Sequence, residues 1–226
     1  MEWLAVGLLN KIHMLDRNQQ VWELCQMDSE DEIVTCVKWL SNCHIIAGTS
    51  HGMLHIWDIE KKRRVRRIKA SRDPVLALDS HLHLVACASL DHAIKIHDLR
   101  LQKSVVLTLN GHAKDVRALK FCPRGEFLAS ACSEGILKLW EIKSEISGKE
   151  EQSPPHVMFP KTEFEGFSGC SVNDLAWCPW NSSVIAAGCS RPAGLLLLFD
   201  VDQKKEVERV ETGTTINGVL FSKNTR

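Results

Sequence analysis

A chain of 226 residues, 44% of them apolar, is long enough to bury a sizeable core. Its 28 Lys and Arg balance 28 Asp and Glu, which argues against a dedicated nucleic-acid surface, and no apolar run approaches the roughly 18 residues of a membrane span. The start, MEWLAVGLLNKIHML, carries no basic leader and no small-residue cleavage site, so a secretion signal is not expected there.

The predicted elements are short strands throughout. Three come first, at 4–8, 11–15 and 20–25; sets of strands follow within 33–69, 75–109, 116–160 and 172–211, and one more strand at 216–221. In the third of these sets, Val116 to Phe121, Phe127 to Ala131 and Ile136 to Trp140 are apolar runs separated by Cys-Pro-Arg-Gly and Cys-Ser-Glu-Gly, which read as hairpin turns. The same Pro and Gly interrupt any window long enough for an amphipathic helix.

The acidic residues that end the third run of each set, Asp16, Asp58, Asp98, Glu141 and Asp200, are 42, 40, 43 and 59 positions apart. A period of about 40 to 45 with strands, Gly-His and Trp-Asp is the signature of a WD-repeat blade. The expected fold class is therefore all-β, a β-propeller of about four complete blades with partial blades at both ends. The expected organisation is a partial blade 1 at 1–26, blade 2 at 30–69, blade 3 at 72–109, blade 4 at 111–160, blade 5 at 168–211 and the start of blade 6 at 214–226. The long last step comes from one insertion, KSEISGKEEQSPPHVMFPK, charged and then Pro-rich, read as a surface loop over 143–160.

In such a blade a His ahead of the inner strand bonds a Ser or Thr of the second strand and an acid in the next turn, and a Trp closes the network. The candidates are His112, Ser130, Glu134 and Trp140, with Trp57-Asp58 the one full Trp-Asp pair. Elsewhere the pattern erodes: His51 and Ala193 stand at the acid position, and His97 and Phe199 at the Trp position, while Asp91 keeps the acid. These groups read as structural rather than catalytic.

Nine Cys (25, 36, 43, 87, 122, 132, 170, 178 and 189), an odd number and never in Cys-x-x-Cys, read as small apolar residues in a reducing compartment. His81 and His83 lack a Cys or acidic partner at ligand spacing, so no metal and no other cofactor is expected. There is no Gly-x-Ser-x-Gly elbow, phosphate-binding Gly-Lys loop or His-Glu-x-x-His helix, and an enzyme is not expected. Charge is nonetheless patterned. DSEDE, containing Asp28, Glu30, Asp31 and Glu32, precedes the inner strand of the second blade and reads either as a solvated loop or as a face for a basic peptide. KKRRVRRIK, 61–69, falls on that blade's outer strand and reads as a solvated edge, a nuclear-import signal or a docking strip for an acidic partner.

Several segments resemble the propeller of the Fizzy and Fizzy-related proteins, activators and substrate receptors of the anaphase-promoting complex, a ubiquitin ligase. LAVGLLNKIHML resembles the family's first blade, AGTSHGMLHIWDIEKKRRVRRIKA the second and VLALDSHLHLVACASLDHAIKIHDLR the third. VNDLAWCPWNSSVIAAG resembles the fifth, with Trp177-Cys-Pro-Trp180 as a specific cue, and VETGTTINGVLFSKN the start of the sixth. The resemblance implies a subunit controlling cell-cycle or meiotic progression, partnered by the complex's subunits and by degron-bearing proteins such as cyclins, without nucleic acid or membrane, in cytoplasm or nucleus.

The family holds a Lys-Glu-Asn degron on the propeller's top face through Asn, Thr and Gln, where this chain has Ser133, Arg191 and Thr215. That divergence resembles the meiotic Cortex branch of insects. The family's activator motifs, an N-terminal C-box and a C-terminal Ile-Arg tail, do not occur in this sequence, nor does its seventh blade with the destruction-box groove. A second family groove, at the second and third blades, is spanned. The alternative expectation is a generic WD-repeat scaffold or a truncated, non-activating isoform. The strand count leaves either an open arc or a five-bladed ring closed by pairing INGVLF with the first blade.

Overall fold

The computed structural model describes residues 3–18, 20–142, 156–158, 162–164, 171–190 and 194–222. They form strands β1 (Leu4–Leu8), β2 (Lys11–Leu15), β3 (Val21–Gln26), β4 (Val34–Ser41), β5 (His44–Thr49), β6 (Met53–Asp58), β7 (Arg63–Lys69), β8 (Val75–His81), β9 (Leu84–Ser89) and β10 (Ile94–Asp98). They continue with β11 (Val105–Leu109), β12 (Val116–Phe121), β13 (Phe127–Cys132), β14 (Leu137–Glu141), β15 (His156–Met158), β16 (Thr162–Phe164), β17 (Val172–Trp177), β18 (Val184–Cys189), β19 (Leu195–Asp200) and β20 (Lys205–Glu211).

The strands make five sheets in chain order: β1-β2-β3, β4-β5-β6-β7, β8-β9-β10-β11 with β15 at its edge, β12-β13-β14-β16, and β17-β18-β19-β20. All neighbours are antiparallel except β11 and β15. No helix among the described residues is long and apolar enough to cross a membrane. Apolar side chains alternate to both faces of each blade, so the core lies between sheets. Trp57 packs with Ile12 and Met14 between the first two sheets, Ile46 with Val75 between the next two, Trp140 with Ile94 and Leu107 between the third and fourth, and Leu137 with Leu175 between the last two.

The turns after the third strands explain the acidic repeat. Asp16, Asp58, Asp98 and Asp200 each accept backbone N–H groups two to four residues on, at 2.8–3.0 Å. The carboxylate substitutes for a backbone acceptor and fixes the turn into the outer strand.

Two expectations are corrected. The insertion is not loop alone: His156–Met158 adds a parallel strand to β11, opposite Leu107–Leu109, because the outer edge of β11 carries unpaired backbone groups that template another strand. The outer strand of the fourth sheet is Thr162–Phe164, beyond the expected limit at 160. Residues 143–155, 159–161 and 165–170 lie outside the described residues.

Of the two arrangements the strand count left, the open arc is the one observed. INGVLF does not pair with β1, whose partner is β2. It lies along the fifth sheet instead, where Ile216 N–H donates to the Cys189 carbonyl at 3.1 Å and Val219 N–H to the Asp174 carboxylate at 2.9 Å. Gly188 permits this approach, since a Cβ there would come within 2.6 Å of Ile216 and Val219. The described residues therefore form an open arc of blades.

Candidate functional site

Three polar constellations need an account: the network inside blade 4, its counterpart in blade 2, and the surfaces where the chain turns into its inner strands. In blade 4, β13 and β14 bring Ser130 beside Trp140, whose indole N–H donates to the Ser130 hydroxyl at 2.8 Å. His112 Nε2 lies 2.7 Å from the same oxygen. Burial, reinforced by the Lys138 and His92 charges, pushes the His112 pKa down to about 3. The imidazole is thus neutral and enclosed, unsuited to proton transfer and suited to holding the loop onto the sheet. The expected fourth member does not join: His112 Nδ1 has no hydrogen-bond partner, and Glu134 is exposed in the next turn.

Blade 2 fills the same space differently. Ala47 stands opposite His55 on the neighbouring strand, in the register where Ser130 stands opposite Lys138. Consequently the Trp57 indole N–H is buried without an acceptor. The polar link has moved to Glu32, 1% exposed, which accepts from the Thr49 hydroxyl at 2.8 Å and lies 3.1 Å from Nε2 of the fully buried His55. Burial works to raise the Glu32 carboxyl, but the Thr49 and His55 hydrogen bonds outweigh it and leave its pKa below the ordinary value. Burial, with the Arg64 and Arg67 charges, holds His55 below its ordinary value despite Glu32. A carboxylate beside a neutral imidazole fits both shifts: Nε2–H donates to Glu32, and Nδ1 accepts from Arg64 at 3.3 Å.

This chain reaches the acidic loop. Arg64 also donates to Asp28 at 2.7 Å, holding that carboxyl below the ordinary range, and Arg67 lies 3.5 Å from it. Asp31 accepts from Ser29 and sits 3.7 Å from His51. Of the four expected peptide-facing acids, Glu32 is interior, Asp28 and Asp31 have intramolecular partners, and Glu30 is exposed. Nor is the basic strand merely a solvated edge. Arg66 donates to the carbonyls of Leu99, Leu101 and Gln102 at 2.6–3.1 Å, tying blade 2 to the β10–β11 turn of blade 3. Beside that tie runs a groove of about 830 Å³, bordered by Arg67, Lys69, Arg100 and Lys103.

At the end of the arc where the chain turns into its inner strands, a cavity of about 430 Å³ is lined by Leu76, Asp115, Arg117, Asn173 and Asn217. Leu76, Arg117 and Asn173 are the second residues of β8, β12 and β17, and Asn217 is the second of INGVLF. Asn173 Nδ2 donates to the Ile216 carbonyl at 3.0 Å. Asp115 Oδ1 lies 3.4 Å from His92 Nδ1, and its carbonyl accepts Ser133 N–H at 3.0 Å. Ser133 is thus tied by its backbone to one lining residue, Thr215 is exposed immediately before Ile216, and Arg191 lies outside the described residues. The sequence reading missed Arg117, Asn173 and Asn217; a polar residue at one register of successive inner strands is the signal that marks them.

His81 and His83 do not come together with further ligands. Among the described residues no group of three or more His, Cys, Asp or Glu could hold a metal ion. The eight described cysteines are all free thiols, and burial drives Cys25 and Cys87 up to about 12.

Comparison with known proteins places these blades among WD repeats. Residues 103–141 match the family described as WD domain, G-beta repeat, and residues 8–83 that of the anaphase-promoting complex subunit 4 WD40 domain. Cell division cycle 20.5, cofactor of APC complex, from Arabidopsis thaliana is 26% identical over 99% of this chain and 49% of its own length. Anaphase-promoting complex subunit cdc20 of Dictyostelium discoideum is 29% identical over 82% of this chain and 35% of its own length. Anaphase-promoting complex subunit cdh1 of the same organism is 25% identical over 98% and 32%.

The chain carries WD repeats and is similar to Cdc20 and Cdh1 proteins over most of its length. The Fizzy resemblance of its blades is this relationship. The chain spans about half or less of the length of these relatives. A chain of the solved structure described as the mitotic checkpoint complex shares the propeller fold, with a TM-score of 0.83 and 24% identity over 95% of this chain and 62% of that one.

Proposed function

We propose that this chain is the partner-reading part of an activator of the anaphase-promoting complex, a binding module that presents degron-bearing proteins such as cyclins without making or breaking bonds. The alignment of nearly the whole chain with curated cofactors of that complex carries the reading. Two concavities support it. The axial cavity is lined by Asp115, whose carbonyl accepts Ser133 N–H, and by Asn217, two residues after Thr215, and the basic groove lies between the second and third blades. His112 and His55 support a non-enzymatic role, because both are enclosed, neutral and committed to packing. The same reading implies action in the cytoplasm or nucleus.

The test is recovery of the complex's subunits and of cyclins from a dividing-cell extract on the tagged chain. Recovery of both is expected. Recovery of neither, by chain whose near-ultraviolet circular dichroism shows packed tryptophans, overturns the proposal and leaves a generic WD scaffold. Ser133 and Thr215, which replace the family's Asn and Gln, favour that second reading.

A further inference from the structure

We propose that Lys120, on the axial wall of β12, is a reactive amine and the residue of this chain that takes an acyl group from a small thioester. This reactivity is independent of partner binding.

Four inner strands bring one charged cluster together: Lys38 from β4, Asp79 from β8, Lys120 from β12 and Asp174 from β17. The Lys38 and Lys120 side chains lie within hydrogen-bond reach of each other. An ammonium has donors and no acceptor, so the two can bond only when one of them has given up its proton. Lys38 has a carboxylate at hand, Asp79 Oδ1 at 3.6 Å, whereas Lys120 makes no ion pair among the described residues. The acceptor is therefore Lys120.

The two acids of the cluster favour a charged Lys120 but are engaged elsewhere. Asp79 Oδ2 accepts Phe121 N–H at 2.8 Å, and the two oxygens of Asp174 accept Leu175 N–H and Val219 N–H, each at 2.9 Å. Burial and the Lys38 charge outweigh both acids and hold the Lys120 pKa below the ordinary lysine value. A lysine desolvated beside a second cation keeps an amine lone pair free closer to neutral pH. Lys120 is half-buried rather than enclosed, so a small electrophile reaches it, and its carbonyl is fixed by the Trp177 indole N–H at 3.0 Å.

In the reaction the Lys120 nitrogen attacks the thioester carbonyl carbon, the carbon–sulfur bond breaks and the thiolate leaves. The thiolate takes up the proton that nitrogen loses, giving an amide and a free thiol. The amide is uncharged, which removes one of the two lysine charges that act on Asp79.

The experiment is limited acetylation of the whole chain with S-acetyl-N-acetylcysteamine, a soluble thioester, with the rate at each lysine read by mass spectrometry from neutral to alkaline pH, for the wild type, Lys38→Met and Lys38→Arg. Near neutral pH, Lys120 should react about fivefold faster than the exposed Lys103 and Lys114, and its rate should level off at a lower pH than theirs. K38M should remove that excess and move the Lys120 profile to higher pH; K38R, which keeps the cation, should preserve both. Lys120 reacting no faster than Lys103, or a Lys120 profile that K38M leaves in place, overturns the inference. Should K38M fail to fold, the wild-type profile still decides, since one coincident with that of the exposed lysines overturns the inference by itself.

Discussion

Blades 2 and 4 place a Trp at the same register of the third strand, Trp57 opposite Ile45 and Trp140 opposite Leu128, yet they satisfy the interior in opposite ways. Blade 4 uses a neutral relay in which one hydroxyl serves an imidazole and an indole. Blade 2 has lost that hydroxyl to Ala47 and buries a carboxylate instead, held by Thr49 and His55 and continued through Arg64 to Asp28. The third-strand position next in line makes the exchange visible. Lys138 and Lys95 use it to hold the carbonyls of Gly111 and Ala70 in the loop ahead of the inner strand, whereas His55 uses it to hold the Glu32 side chain. The propeller demands a bond between that loop and the sheet, but not a particular pair of residues.

The sharpest way to break the comparison is to empty the packing that both blades share. Trp140→Ala removes a fully buried side chain between the third and fourth sheets and should cost about 3–5 kcal/mol in urea denaturation. A loss below about 1 kcal/mol would mean that the blades do not depend on this interface.

Glu32→Ala tests whether blade 2 is held by its carboxylate. It leaves Thr49 and His55 without their acceptor and should cost about 2 kcal/mol, with faster amide exchange across residues 28–33. Unchanged exchange there would count against the carboxylate as the loop's anchor.

Acid should strain blade 4 and its neighbour, blade 3. His112 and His97 have folded pKa values of about 3 and about 4, below the ordinary 6.5. A histidine that charges only on unfolding gives stability that is present above pH 6.5 and is lost as pH falls through 6.5 toward the folded value. Each should contribute a loss of about 2 kcal/mol between pH 7 and pH 5. His112→Asn should therefore flatten the pH dependence of the urea midpoint; an unaltered slope would show that His112 is not enclosed.

The smallest effect runs the other way. Ala47→Ser would give the Trp57 indole the acceptor that Ser130 gives Trp140, for a gain of about 1 kcal/mol. A loss would show that blade 2 has closed up around the alanine.

The blades' order and their turn acids were legible because both are local. Apolar runs of five or six residues and an Asp two to four positions before the N–H it accepts can be read from adjacent residues alone. The candidate site was legible only in part. Ser133 and Thr215 came from the family resemblance, whereas Arg117, Asn173 and Asn217 became neighbours through the register of separate inner strands. Glu134 was misplaced because sequence fixes its turn but not the reach of its side chain.

By itself, then, the sequence determined a series of WD blades and the Trp, His and Asp positions within them, since period and turn chemistry act within one blade. Tertiary structure decided which partners those residues take. Arg66 holds carbonyls more than 30 residues away, Glu32 displaces the expected relay in blade 2, and His156–Met158 joins the third sheet rather than the fourth. Each outcome depends on which unpaired donor, acceptor or strand edge lies within reach once the sheets have packed, and neighbouring residues in the chain do not encode that distance.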